Sequence, residues 1–377
     1  MRSDTSRSDT SLRKTILLSP LIFFTLLSAC GTRIPADRPE PLGIVLLIGD
    51  GMGHGSLDAA RTRVGQLYME QMPVKGSVLT DNVFGKITDS AAAGTAYAAG
   101  VSTYNGAISV GPDSLPVETI LEIAEANGLA TGIVATSSVT HATPASFLSH
   151  VVNRNNEYEI ARQTVASGVD IVLGGGQRFF TNPARHNGVD LLLKFRDQGY
   201  AVLFNPQELA SFAESDSMLA VGLFSRGDMP HADVRTPTLA EMSEAALAVL
   251  IQDPDGFFLM IEGSQIDWAA HDNDGEWLLD EMDDFNETVQ LVRDLVAIRP
   301  NTLMIVTADH ETGGLSTANH SDMGETGLIW TTTGHTSDPV PIFASGIQAV
   351  RFNGIQTNYE VGRKIREILV LAIDGEL

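Results

Sequence analysis

Five consecutive aliphatic residues, Ile44-Val45-Leu46-Leu47-Ile48, closed by Gly49-Asp50-Gly51, constrain this chain more than any other feature. A strand without polar alternation has no face to give to water, so it belongs inside a parallel sheet covered on both sides. Comparable runs occupy residues 131–135, 170–173, 257–261, 302–306 and 340–344. Between them lie stretches of helical periodicity: 117–127 closed by Gly128, 157–167 closed by Gly168, 239–251, and the long acidic stretch 276–298. Strands alternating with helices predict an α/β fold whose central, mainly parallel sheet is flanked by helices. The residues best suited to chemistry fall just beyond these runs: Asp50 after Ile48, Glu262 after Ile261, Asp309 and His310 after Val306, His141 and Thr143 after residues 131–135. Open α/β sheets bind ligands outside the carboxyl ends of their strands, so these groups are predicted to meet at one sheet edge.

At 377 residues the chain can bury the core of one large domain. Its formal net charge of −23 repels polyanions, which argues against nucleic acid as a partner. Carboxylates gathered around cations would account for part of that charge. The N-terminus does not belong to the fold. Arg2, Arg7, Arg13 and Lys14 precede an apolar stretch, residues 16–27, that is shorter than the ~20 residues a membrane-spanning helix needs. It reads as a signal peptide ending in Leu27-Ser28-Ala29-Cys30, similar to a bacterial lipobox. The expected organisation is a lipoprotein-type signal over 1–29, a proline-bearing tether over 30–41, and a single catalytic domain over 42–377. Lipid on Cys30 would be the protein's only link to a membrane and would hold it in the periplasm. Cys30 is the only cysteine, so no intrachain disulfide forms and a thiolate metal site is ruled out once it is lipidated.

Several local patterns bear on chemistry. Asp267 and His271 stand four apart, a spacing that puts both on one helical face and before one cation. Asp309-His310 close a strand, and His335 precedes another. Together these supply the oxygen and nitrogen ligands that suit zinc. Ser90, in Thr88-Asp89-Ser90-Ala91-Ala92-Ala93-Gly94, sits where a small-residue helix begins, with Asp89 as a cap signal. Oriented N–H groups at a helix start favour an incoming phosphate. Serine needs a base or a metal to act as a nucleophile, and no nearby Ser–His–acid arrangement is identifiable, which leaves metal activation. Arg154 could fork two donors onto two phosphate oxygens.

These motifs occur in one order: Gly49-Asp50-Gly51-Met52-Gly53, Thr88-Asp89-Ser90-Ala91, Thr140-His141-Ala142-Thr143-Pro144-Ala145, His150-Val151-Val152-Asn153-Arg154, Glu262-Gly263-Ser264-Gln265-Ile266-Asp267 with His271, Thr307-Ala308-Asp309-His310-Glu311-Thr312-Gly313-Gly314, and Gly334-His335-Thr336. The set resembles bacterial alkaline phosphatases from Asp50 to His335. That resemblance implies hydrolysis of small phosphate monoesters through a phosphoserine at Ser90. It implies a first zinc on Asp267, His271 and His335, and a second on Asp50, Asp309 and His310. It implies a magnesium on Asp50, Thr143 and Glu262, with Asp50 bridging and Asp89 orienting Arg154. The second zinc would activate Ser90 and the first would stabilise the leaving oxygen, in two in-line displacements. A homodimer is the common assembly in the family.

Two positions depart from the family pattern. His141 stands where some members carry Asp, so it is expected beside the third site rather than as a firm ligand, leaving that site open to magnesium or zinc. Trp268 stands where others carry Lys or His, and it should hold product phosphate less tightly. Only 24 residues separate His310 from His335, so the crown-like insertion of larger members is expected to be minimal. Residues 177–237 hold no motif and are read as peripheral; His54, His186, His231 and His320 are read as surface groups and His150 as structural. The rival readings are a phosphodiesterase or sulfatase of the same superfamily, and a non-catalytic metal- or phosphate-binding lipoprotein. Arg154 facing two free oxygens favours a monoester, and the segment after Ser90 lacks the Arg of a sulfatase motif.

Overall fold

The computed structural model describes residues 41–317 and 327–377. The signal and tether up to residue 40, with Cys30, and also His320, lie outside the described residues.

Fourteen strands follow in chain order among the described residues: β1 Gly43–Gly49, β2 Val74–Leu79, β3 Ala130–Ser138, β4 Ile171–Gly175, β5 Ala201–Leu203, β6 Ala220–Leu223, β7 Phe257–Gly263, β8 Thr302–Ala308, β9 Glu311–Thr312, β10 Ser316–Thr317, β11 Leu328–Ile329, β12 His335–Thr336, β13 Val340–Gly346 and β14 Gly354–Thr357. Ten of them form one sheet in the order β14-β2-β13-β8-β1-β7-β3-β4-β6-β5, and only β13 runs antiparallel to its neighbours. Every apolar run singled out above is a strand of this sheet. Every residue of β1, β7 and β8 is buried, as a strand covered on both faces requires.

Four adjacent central strands, β8-β1-β7-β3, carry the expected chemistry. Their register puts Ile48 beside Glu262, Gly49 beside Ala308 and Ala135 beside Glu262. All four are parallel, so their carboxyl ends open on the same side.

Helices cover the sheet. The helix expected over 117–127 starts at Ile120, because Thr119 leaves the helix to cap it: Thr119 Oγ1 accepts from Glu122 N at 3.1 Å, and Glu122 accepts from Thr119 N at 2.8 Å. The other three are Glu157–Thr164, Leu239–Leu250 and Gly275–Ile298. Ser90–Ala99 is buried at every position, and its small residues admit a second helix, Ala142–Leu148, at close range. A Cβ on Gly94 would lie 2.8 Å from Ser146 Oγ. No helix among the described residues is long and apolar enough to cross a membrane.

Residues 177–237 are peripheral only in part. They supply the edge strand β5 and its neighbour β6, but the segment then returns to the centre. Asp228 Oδ1 accepts from Ser138 N at 2.8 Å, and Met229 N donates to Thr136 O at 3.1 Å. Arg235 is then fully buried between Glu281 and Asp284, at 2.7 and 2.6 Å. His186 is not a surface group: it is 3% exposed and its Nε2 donates to Phe179 O at 2.7 Å. His54 and His231 are exposed, and His150 is half-buried between Ser109 O and Glu122.

Candidate metal centre

The turn after β1 fixes the first acid. Gly51 has φ +70°, a left-handed conformation, and a Cβ there would fall 2.8 Å from Asp267 Cα. Only glycine lets the Asp50 turn close against the helix Gln265–His271, which carries Asp267 and His271. Gly51 N then donates to Asp309 Oδ1 at 3.0 Å, joined by His310 N at 2.9 Å. One oxygen of Asp309 is thereby held by two backbone donors, and the other is left facing the site.

Three histidines point the same way, and each for a traceable reason. His271 Nδ1 lies 2.5 Å from Thr333 O and His335 Nδ1 lies 2.9 Å from Thr88 O, contacts that only an Nδ1–H satisfies. Thr312 Oγ1 donates to Asp267 Oδ1 at 2.5 Å and so accepts from His310 Nδ1 at 3.2 Å. All three rings therefore turn Nε2 inward. His271 Nε2 and His335 Nε2 are 3.1 Å apart, with Asp267 oxygens at 3.3 and 3.6 Å. His310 Nε2 faces Asp309 at 3.2 Å, Asp50 at 3.5 Å and Ser90 Oγ at 3.3 Å, and its ring stacks on His335 at 3.5 Å.

Ligand atoms of Asp50, Asp309 and His310 lie within 4.8 Å of one another, as do those of Asp267, His310 and His335, and those of Asp50, His141 and Glu262. Both oxygens of Asp50, Oδ2 of Asp309, Oε1 of Glu262 and Oγ1 of Thr143 are buried without a hydrogen-bond partner. Buried carboxylates cost several kcal/mol each unless a cation answers them. The protonation balance records the same strain. Burial, then the charges of Asp309, Asp267 and Glu262, drive Asp50 well above the carboxylate range, and burial lifts Glu262 to about 7. Burial alone would raise Asp267 too, but its bond to His271 and the nearby imidazoles hold it low. His271 is pushed up to about 9, first by that same bond. The donor set fits divalent cations: imidazole with carboxylate around His271, His335 and His310 suits zinc, and the oxygen set of Asp50, Thr143 and Glu262 suits magnesium.

Ser90 is the first residue of its helix. Asp89 caps it by accepting from Ala92 N at 3.0 Å. Asp89 Oδ2 also accepts from Gly106 N at 2.9 Å and from Arg154 Nη1 at 3.2 Å, so the cap and the arginine share one carboxylate. Arg154 Nη2 meets His141 Nε2 at 3.0 Å. That contact takes the lone pair of Nε2 and puts the ring proton on Nδ1. Burial first and Arg154 second depress His141 to about 3, so it is neutral. Trp268 touches this group through an edge contact with the His141 ring, centroids 5.7 Å apart. The side chains singled out in the sequence are thus linked into one site. Sequence reasoning missed the partners that aim them: Thr312 and the carbonyls of Thr88 and Thr333. The hydroxyl two residues after His310 was a readable signal, but backbone carbonyls leave none.

The family model described as "Alkaline phosphatase" matches residues 43–329. Alkaline phosphatase 3 of Bacillus subtilis is 39% identical over 298 residues, 74% of this chain and 63% of the relative. The chain therefore spans under two thirds of that relative's length. Streptomycin-6-phosphate phosphatase of Streptomyces griseus is 32% identical over 92% of this chain and 94% of its own. The alkaline phosphatase structure from the Antarctic bacterium TAB5 superimposes with a TM-score of 0.82 at 35% identity, covering 88% of this chain and 99% of that one. A variant of it with magnesium bound in its M3 site gives 0.80 at 34% identity, covering 88% and 98%.

Proposed function

Because this chain belongs to the alkaline phosphatase family, we propose that it hydrolyses phosphate monoesters to an alcohol and inorganic phosphate, with Ser90 as nucleophile and Arg154 as phosphate clamp. The observation that carries this reading is the convergence of three inward imidazole nitrogens and four carboxylates beside one hydroxyl at a helix start.

Asp267, His271 and His335 would hold one zinc, Asp50, Asp309 and His310 a second, and Asp50, Thr143 and Glu262 a magnesium or a third zinc. Bound cations supply Lewis acidity: they stabilise charge on the attacking and leaving oxygens and ease deprotonation of hydroxyl and water near neutral pH. The chain's own groups do the positioning. Arg154, steadied by Asp89, forks onto two non-bridging oxygens of the substrate, and the first N–H groups of the helix Ser90–Ala99 face the same charge. Ser90 Oγ gives its proton to solvent as it bonds to phosphorus, and the ester oxygen departs on the opposite side and takes a proton from water to leave as the alcohol. Water then attacks the phosphoserine from the side just vacated, returning Ser90 Oγ–H and releasing phosphate. The transition state asks for charge stabilisation and alignment more than for covalent help. A diester would keep two oxygens for Arg154 but leave none over for the cations, and it would need room for a second substituent on phosphorus, which favours the monoester as the substrate class.

Incubation with a labelled aryl phosphate at acid pH should trap a phosphoenzyme that Ser90→Ala abolishes. Turnover that survives Ser90→Ala intact would end the proposal. Parallel rates on aryl phosphate, bis-aryl phosphate and aryl sulfate test the substrate class. Lipid on Cys30, a periplasmic location and a homodimer complete the proposal. Mass analysis of the mature N-terminus and the sedimentation mass check them.

A further inference from the structure

Glu157 plays no part in the chemistry above, yet its carboxylate closes a ring of bonds around Arg154. It opens the helix Glu157–Thr164, three residues after Arg154. Its Oε2 accepts from Thr140 Oγ1 at 2.7 Å, and Thr140 Oγ1 pairs with Ser138 Oγ at 2.6 Å. Thr140 is completely buried and immediately precedes His141. His141 N donates to Ser138 O at 2.8 Å, and His141 Nε2 in turn meets Arg154 at 3.0 Å. The path from Arg154 along the backbone to Glu157, across to Thr140, on to His141 and back to Arg154 is unbroken. A long, freely rotating arginine gains a defined reach when the group it leans on is fixed to its own stretch of backbone. Asp89 does this from one side, and the bond between Glu157 and Thr140 does it from the other.

We infer that Glu157 is a positioning residue for Arg154, acting by tying the turn that carries His141 and Thr143 to the segment that carries the arginine. The inference rests on the reading of Arg154 as the phosphate clamp and adds a residue to it.

The test measures KM and kcat for an aryl phosphate, the inhibition constant of inorganic phosphate, and thermal stability, at equal metal content. Glu157→Ala should raise KM and the phosphate inhibition constant about tenfold, with a smaller loss in kcat. Thr140→Val, which removes the donor instead of the acceptor, should do the same and stands in if Glu157→Ala folds poorly. Glu157→Gln, which keeps an acceptor for Thr140, should stay within about threefold of wild type. In an Arg154→Ala background, Glu157→Ala should add almost nothing, because the group it positions is gone. Lowered stability with an unchanged phosphate constant in both Glu157→Ala and Thr140→Val would overturn the inference and leave the clamp reading standing. So would effects that multiply in the double variant, or a Glu157→Gln as damaged as Glu157→Ala. An Arg154→Ala that binds phosphate as wild type does would sink the clamp reading itself, and this inference with it.

Discussion

Arg235 offers a sharp test of how this fold is held together. Its side chain is 0% exposed and lies between Glu281 at 1% and Asp284 at 7%. Nη2 reaches both oxygens of Glu281 at 2.7 Å, Nη1 reaches Asp284 at 2.6 Å, and Nε donates to Pro230 O at 3.0 Å. Arg235→Met fills most of the volume but leaves two buried carboxylates without their cation. Breaking a buried pair in this way costs about 3–5 kcal/mol, a large share of the roughly 5–15 kcal/mol that holds a domain folded. With an unfolding entropy of about 2.1 cal/mol/K per residue over roughly 330 residues, the Tm should fall by about 4–7 °C. The deficit should also depend on pH. Burial holds Glu281 above the ordinary carboxylate range even with Arg235 present. Without the arginine its folded pKa rises further, so the folded variant binds a proton that the unfolded chain releases between its ordinary carboxylate value and the new one. Stability of the variant relative to wild type should therefore recover as pH falls from the raised folded value of Glu281 toward its ordinary carboxylate value. Denaturant unfolding of both proteins, followed by tryptophan fluorescence with Trp277 packed beside Glu281, gives both quantities. A loss under about 1 kcal/mol, or a deficit that grows as pH falls, would mean that Arg235 does not neutralise Glu281 and Asp284 in the folded protein. Replacing all three residues by apolar ones should restore most of the loss.

The remaining predictions concern the site and its supports. Gly51→Ala forces a left-handed alanine against Asp267, so metal retained after dialysis, measured by elemental analysis, should drop along with activity by at least about tenfold. Trp268→Lys brings a cation beside His141 and should tighten inhibition by inorganic phosphate; an unchanged constant counts against it. The pair of His150 and Glu122 should stabilise most between about pH 4.5 and 6.5. His150 is raised by its bond to Glu122, so its contribution is whole below its unfolded value and fades as pH climbs through the folded one. Glu122 is lowered by that bond despite burial, so its contribution is lost as pH falls through its folded value. The Tm gap between wild type and His150→Ala, measured across pH, should peak in that window. Chelation should lower the Tm as well as activity, since ions that bind only the folded state stabilise it by about 3–4 kcal/mol at a hundred to a thousand times Kd.

What the sequence disclosed follows from which residues have to be buried. Residues 44–48, 257–261 and 302–306 could only be interior strands, and interior parallel strands bring their ends together; Asp50, Glu262, Asp309 and His310 followed without further information. Short edge strands such as β5 and β14 carry no such signature, because half-exposed residues obey no strict alternation. His186 was misread because its burial depends on the carbonyl of Phe179, and a carbonyl is the same in every residue. The aim of His271 and His335 was hidden for the same reason. The return of Asp228 and Met229 to the end of β3 depends on tertiary contacts that neither period nor composition marks.

Asp50 contributes to two of the clusters at once, one with Asp309 and His310 and one with His141 and Glu262. A donor held in common makes the occupants interdependent. An ion entering on one side draws electron density from the oxygen that the other side leans on, while its positive charge repels a second arrival. Loading curves for the pair should thus be neither independent nor identical. A change at Glu262 would reach Ser90 through Asp50 and then His310, which lies 3.5 Å from Asp50 and 3.3 Å from Ser90 Oγ.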